Sequence, residues 1–255
     1  MNSLFRNPSA ILVLTFFTMW LSAQIGVFFR KRQSKVEEAD HQDRDFIVAA
    51  TLTLLALIIG FTFSMALGRY DQRKNYEEAE ANAIGTEYVR ADLLSADDAV
   101  RVRALLKDYL DQRILFYQTV DARELQQTNV RTAQLQTELW STVCAPAAAQ
   151  PTPVLALAIS GMNDVLNSQG YTQAAWWYRI PIGAWSLMVA IAICSNLLVG
   201  YSAHRPQGGV TRLLVLPLVL CISFFLIADI DSPRRGIIRV VPQNLVSLAE
   251  SLHGH

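Results

Sequence analysis

The chain has 255 residues, of which 52% are hydrophobic and 17% are charged. Lysine plus arginine equals aspartate plus glutamate at 22 each, so no net positive field favours nucleic acid, and we expect no nucleic-acid partner. The three cysteines form no CxxC pair, and the four histidines lack the spacing of a helical metal site. We therefore expect no metal and no cofactor.

Charged residues are almost absent from four long stretches of the chain. These apolar segments cover residues 11–29, 46–67, 180–201 and 211–228, and only the last contains a charge, Arg212. The hydrocarbon core of a bilayer is about 30 Å thick, and about 20 residues of apolar helix cross it. The segments therefore predict a multi-pass protein of the cell membrane, with the lipid bilayer as its immediate partner.

The first apolar segment has the features of a span that is not cleaved. Arg30, Lys31 and Arg32 follow it directly, whereas the basic residues of a signal peptide precede its apolar run. We therefore interpret this segment as the first of four transmembrane helices.

The four spans divide the chain into regions. Residues 1–68 hold the first two spans and a short charged loop, 69–179 form an extramembrane domain, 180–229 hold the last two spans, and 230–255 form a C-terminal tail. An even number of spans places both termini and the domain on one side of the membrane. Lysines and arginines near the membrane are almost evenly divided between the two sides, so the positive-inside rule leaves the orientation open.

The extramembrane domain is predicted to be helical. Ser95 followed by Asp98 has the pattern of a capping box that begins a helix, and apolar residues then recur three and four positions apart. Thr128-Asn129 is predicted to interrupt a later helix, and the stretch 145–153 to form a loop. Alternation of apolar and polar residues never persists long enough to indicate a strand, so the predicted fold class is all-α.

The second span carries the most informative pattern. Thr53, Leu57 and Phe61 lie four residues apart on one helical face, and Arg69 and Arg73 follow where the span leaves the membrane. If several copies surround an axis, the first three form the rings of a constriction that gates by dewetting, and the arginines form rings that attract anions. Because four spans do not easily enclose a pore alone, this interpretation requires a symmetric homo-oligomer.

The same stripe has an alternative explanation. A four-apart apolar stripe in a membrane helix is commonly a packing surface against another helix. In that case the protein is a non-conducting membrane scaffold or sensor, whose spans act as an anchor and whose helical domain, residues 69–179, binds a partner. The residues alone leave both interpretations open.

Two carboxylates lie further along the same helix. Glu80 and Glu87 are two turns apart on one helical face. We expect a solvated helix surface or salt bridges to Arg73 and Arg90 at this position.

The tail begins with an acidic pair beside a basic pair. Asp229 and Asp231 precede Arg234 and Arg235. Because Asp229 lies where the membrane ends, we expect it to pair with a nearby arginine, such as Arg69. No nucleophile elbow, phosphate loop, HExxH motif or catalytic carboxylate pair occurs, so we expect neither an enzyme nor catalytic residues.

Three segments resemble the bacterial bestrophin-like domain family. They are GFTFSMALGRYDQR at 60–73, EANAIGTEYVRADLL at 80–94 and ADIDSPRRGIIRV at 228–240. Together with the two pairs of spans, the resemblance covers about residues 46–245. The family is named for a distant similarity to bestrophin anion channels.

The resemblance implies an assembly and a site. Bestrophins are pentamers with a cytoplasmic domain between the second and third spans, so we expect a pentamer in the bacterial inner membrane that conducts small inorganic anions. Phe61, Leu57 and Thr53 match the positions of the bestrophin neck without a gap. Thr53 is polar where bestrophins have an aliphatic neck residue, and Thr62-Phe63 replaces a basic and amide pair.

Overall fold

The computed structural model describes residues 8–32, 40–149, 151–202 and 209–253. No strand occurs in these residues, and the predicted all-α class is confirmed. A 3₁₀ turn, Ala91–Leu93, follows the second helix. The helices in chain order are α1 (Pro8–Arg32), α2 (Asp40–Arg90), α3 (Ala96–Gln118), α4 (Ala122–Ala149), α5 (Pro153–Trp177), α6 (Ile182–Ser202), α7 (Gly209–Asp231) and α8 (Gln243–His253).

Among the described residues, four stretches of helix are long and apolar enough to cross a membrane, as predicted. They lie in α1, in the first half of α2, in α6 and in α7. Helical structure is required there, because lipid offers no hydrogen-bond partner to backbone N–H and C=O groups. The predicted loops within each pair of spans include residues 33–39 and 203–208, which lie outside the described residues.

Contacts divide the chain into two compact units. The membrane unit comprises residues 1–68 and 179–238, and the domain unit comprises residues 69–178 and 239–255. Helix α2 contributes its first half to the membrane unit and its second half to the domain unit. The sequence predicts a separate C-terminal tail over residues 230–255. Residues 239–255, which include α8, instead belong to the domain unit.

In the membrane unit, α1 and α6 meet backbone to backbone. A Cβ atom added at Gly26 would overlap the carbonyl oxygen of Leu197, and one added at Gly200 would overlap that of Ala23. Glycine at both positions therefore permits the close approach on which van der Waals packing between membrane helices depends.

The domain unit has an apolar core of its own. Ser95 Oγ accepts a hydrogen bond from the backbone N–H of Asp98 at 3.3 Å, so Ser95 caps the start of α3 as predicted, while Asp98 Oδ2 accepts from the Ser95 hydroxyl at 2.7 Å. The apolar stripe of α3 is buried against the helices around it. Core residues include Val102, Leu106, Tyr109, Leu110 and Phe116 of α3, Leu135, Leu139 and Val143 of α4, Ala158, Met162 and Val165 of α5, and Leu245 of α8.

Of the two interruptions predicted for the domain, the one at Thr128-Asn129 is wrong, and the loop predicted over 145–153 is confirmed only in part, since residues 151–152 are non-helical. Helix α4 runs without a break from Ala122 to Ala149, through Thr128 and into the stretch predicted as a loop. The Thr128 hydroxyl donates to the carbonyl oxygen of Glu124 at 3.0 Å, so its polar group is satisfied inside the helix. The four alanines of 145–149 have high helix propensity and extend α4 past Pro146, and α5 begins at Pro153.

Glu80 of α2 is buried in the core of the domain unit. Its side chain forms an ion pair with Arg113 of α3, and both side chains are fully buried. One of its oxygens accepts hydrogen bonds from the Tyr117 hydroxyl at 3.4 Å and from Thr172 Oγ1 at 3.2 Å. The predicted solvated surface or pairing with Arg73 is therefore wrong for Glu80, because side chains of α3 and α5 reach it across the core.

We expect Glu80→Gln to destabilise the domain unit, because it leaves the charge of Arg113 buried without its counter-ion. Removing one partner of a buried ion pair costs about 3–5 kcal/mol. Chemical unfolding of the purified protein in detergent measures the loss. Glu78→Gln changes an exposed residue of the same helix and is the matched control. Equal stability of the two variants would contradict the expectation.

Candidate functional site

The first half of α2 has one packed face and one uncovered face. Leu55 and Ala66 are buried inside the membrane unit. On the opposite face, Thr53 is exposed, Leu57 is 52% exposed and Phe61 is 64% exposed. The three residues predicted to line a constriction therefore lie together on the face of α2 that the described residues of their own protomer leave uncovered.

Small residues accompany this uncovered face. Gly60, Ser64 and Gly68 are all exposed, and a Cβ atom added at Gly60 or Gly68 would meet no atom of the described residues within 4 Å. Packing within the protomer therefore does not require glycine at these two positions. This contrasts with Gly26 and Gly200, where the neighbouring backbone excludes any side chain.

The hydroxyl of Thr53 is satisfied within its own helix. Thr53 Oγ1 donates to the carbonyl oxygen of Ala49 at 2.8 Å. Thr62, on the packed face, donates in the same way to Ile58 at 2.7 Å. Neither hydroxyl therefore needs an outside partner, which makes both residues compatible with an apolar surrounding.

The two arginines that follow the second span differ in their surroundings. Arg73 is buried in the domain unit, where it donates to the carbonyl oxygens of Ala175 at 3.2 Å and Tyr178 at 3.3 Å. These carbonyls lie at the C-terminal end of α5, where a positive charge also interacts favourably with the helix dipole. Arg69 is half-buried, and its Nε has no hydrogen-bond partner among the described residues.

The tail motif holds the chain where it leaves the fourth span. The two oxygens of Asp229 accept hydrogen bonds from the backbone N–H groups of Ile237 and Ile238, each at 2.8 Å. Gly236 lies directly against Asp229, and a Cβ atom there would overlap the Asp229 carbonyl oxygen. Backbone N–H groups of the turn therefore bind the Asp229 carboxylate within the membrane unit, and its expected pairing with an arginine such as Arg69 stays a prediction.

The second aspartate of the motif joins the last two spans. Asp231 accepts hydrogen bonds from the backbone N–H of Ile180, at 3.2 and 3.3 Å to its two oxygens, and Arg179 donates to its carbonyl oxygen. Arg234 is half-buried and Arg235 is exposed. The motif thus fixes the end of α7 beside the chain that leads into α6.

Another carboxylate of α2 holds the last helix. Glu77 is buried and accepts hydrogen bonds from the backbone N–H of Leu245 at 2.9 Å and from Asn244 Nδ2 at 2.6 Å. These groups belong to the first turn of α8, where N–H groups lack partners within the helix. In the described part of the chain, no group of three His, Cys, Asp or Glu side chains is placed to hold a metal ion.

The sequence reasoning missed Gly26, Gly200 and Arg179 as structural residues. Each acts through a contact with a distant part of the chain, and none stands out from its sequence neighbours. Spacing of small residues along α1 and α6 is the one signal that could have indicated the two glycines.

Comparison with known proteins places this geometry in a family. The bestrophin-like domain matches residues 14–245. A crystal structure of a mutant bacterial bestrophin homolog from Klebsiella pneumoniae is 12% identical with a TM-score of 0.65, covering 94% of this chain and 99% of that one. Another structure of a bestrophin homolog from that organism is 11% identical with a TM-score of 0.66, covering 95% of this chain and 94% of that one.

A crystal structure of a membrane protein gives a TM-score of 0.68 at 11% identity, covering 94% of this chain and 98% of that one. No curated protein matches the sequence. The structural likeness, at 11% and 12% identity, shows the fold, that of an all-α membrane protein with four apolar spans. Since the matched domain spans residues 14–245 of 255, the chain belongs to the bestrophin-like domain family.

Proposed function

We propose that this protein is the subunit of an oligomeric ion channel in the bacterial inner membrane, with its pore lined by the first half of α2. The observation that carries the proposal is the uncovered face of α2, on which Thr53, Leu57 and Phe61 lie in line. Copies of this face around an axis form successive rings, and rings of apolar side chains make a constriction that closes by dewetting.

The small residues of the same face support an assembly of copies. In the part of the protomer that the structure describes, Gly60 and Gly68 have no neighbour that requires their size. Small residues let membrane helices approach closely, so α2 helices of adjacent subunits are able to meet along this face. Membership of the bestrophin-like family supports the same arrangement. By resemblance to bestrophins we propose a pentamer with the domain unit in the cytoplasm.

The charges that follow the pore segment bear on ion selectivity. The buried guanidinium of Arg73 is bound to carbonyl oxygens of α5, so we assign it a structural role and propose Arg69 as the residue that attracts small inorganic anions. Asp71 is exposed on the same helix, and its negative charge reduces the attraction that Arg69 exerts on anions. The proposed anion preference therefore depends on the balance of these two charges.

We expect Phe61→Ala to raise single-channel conductance several-fold, because it removes the largest side chain of the proposed constriction. The measurement is halide flux from liposomes, together with currents in planar bilayers. Phe63→Ala is the matched control, since Phe63 is an aromatic residue of the same helix that lines an apolar groove beside α7. It is expected to leave conductance unchanged.

Two outcomes would separate a wrong pore position from a wrong function. Equal flux through the Phe61→Ala variant and the parent would remove Phe61 from the pore but keep the channel. No flux above empty liposomes, from protein shown to be folded and inserted, would favour a scaffold or sensor whose domain unit binds a partner.

We expect Arg69→Gln to lower the permeability of chloride relative to sodium, and Asp71→Asn to raise it. The first change removes a positive charge beside the pore exit, and the second removes the negative charge that opposes it. Reversal potentials in a salt gradient measure both ratios. A shift of the same sign in both variants would show that neither charge acts on permeating ions.

A further inference from the structure

The domain unit contains a buried carboxyl group that the proposed pore does not use. Glu87 lies in the last turn of α2 and its side chain is 0% exposed. Neither of its oxygens has a hydrogen-bond partner among the described residues. A buried ionised carboxylate without partners is strongly unfavourable, and such a group commonly takes up a proton instead.

The surroundings of Glu87 come from its own helix and from α5. A Cβ atom added at Gly161 of α5 would overlap both Glu87 Oε2 and Arg90 Nη1, so the glycine makes room for the two side chains. Arg90 forms no ion pair with Glu87, and its Nη1 lies 3.5 Å from the carbonyl oxygen of Leu157. Asp164, also of α5, contributes a second negative charge.

These surroundings favour the neutral form of the carboxyl group. The pKa of Glu87 is raised to about 8, chiefly by burial, with Asp164 raising it as well and Arg90 lowering it in part. The pKa of an unburied glutamate is 4.5. Across the range between these two values, the folded protein therefore holds a proton that the unfolded chain has lost.

We propose that Glu87 is a proton-binding site that makes the contact between α2 and α5 sensitive to pH. With its proton, the carboxyl group adds no charge to the buried space beside Gly161, which it shares with Arg90. Without it, a negative charge lies in a buried space where neither carboxylate oxygen receives a hydrogen bond from the described residues, and the contact between the two helices loosens. This site belongs to the domain unit, and the inference holds whether or not the protein conducts ions.

The first test observes the proton directly. Infrared spectra of the full-length protein in detergent are compared with those of Glu87→Gln over a pH series, following the C=O stretch of protonated carboxyl groups. We expect a band that is absent from the variant and disappears in the parent with a midpoint near pH 8. Identical spectra, or loss of the band at the pH of an ordinary carboxyl group, would overturn the proposal.

The second test measures the effect on stability. Because Glu87 binds a proton in the folded state that the unfolded chain releases, stability falls as pH rises from 4.5 to about 8 and is constant above. Glutamine does not ionise, so the melting temperature of Glu87→Gln minus that of the parent should increase as pH rises through this range. Glu78→Gln, at an exposed position, should show no such trend. A difference independent of pH would refute the linkage.

The third test locates the change. Hydrogen exchange of the α5 segment 157–165 is compared between parent and Glu87→Gln at the same alkaline pH, so that intrinsic exchange rates cancel. We expect faster exchange in the parent, whose Glu87 is ionised. Equal exchange in the two proteins would overturn the claim that the contact between α2 and α5 loosens.

Discussion

Burial of charge along the second half of α2 is the constraint on which the domain unit depends. Transfer of an ionised side chain from water into a protein core is costly unless a partner compensates it. Four ionisable side chains of this helix are buried: Arg73, Glu77, Glu80 and Glu87. Each therefore requires compensation, and for Arg73, Glu77 and Glu80 it comes from other parts of the domain unit.

The compensation differs at each position. Carbonyl oxygens at the end of α5 accept hydrogen bonds from Arg73, and the first turn of α8 donates hydrogen bonds to Glu77. Arg113 of α3 forms an ion pair with Glu80. For Glu87 we propose a proton. Because each partner fits one geometry, these contacts define which part of each helix lies against α2, in addition to the apolar core.

Local signals in the sequence were sufficient for the fold class, the four spans and the start of α3. Span length and a capping box depend on neighbouring residues, so they are visible without tertiary structure. Burial of the glutamates could not be predicted from the sequence. Arg113 lies 33 positions from Glu80, and the sequence of an acidic helix face does not indicate whether that face contacts water or an arginine. The partners of Asp229 are backbone N–H groups, which no residue type indicates. The uncovered face of α2 was anticipated as a pattern, while its role in a pore depends on neighbouring copies.

The contact of Glu77 with α8 has a consequence for biosynthesis. The domain unit is made of two chain segments, and about 60 residues, those of the last two spans, are synthesised between them. At about 5–20 residues per second, translation of this stretch takes several seconds. During that interval Glu77 has no helix terminus to bind, and the apolar surface that Leu245 later covers faces water. The domain is therefore completed only after the last two spans have been made, which leaves a period in which chaperones or proteases can bind its open core.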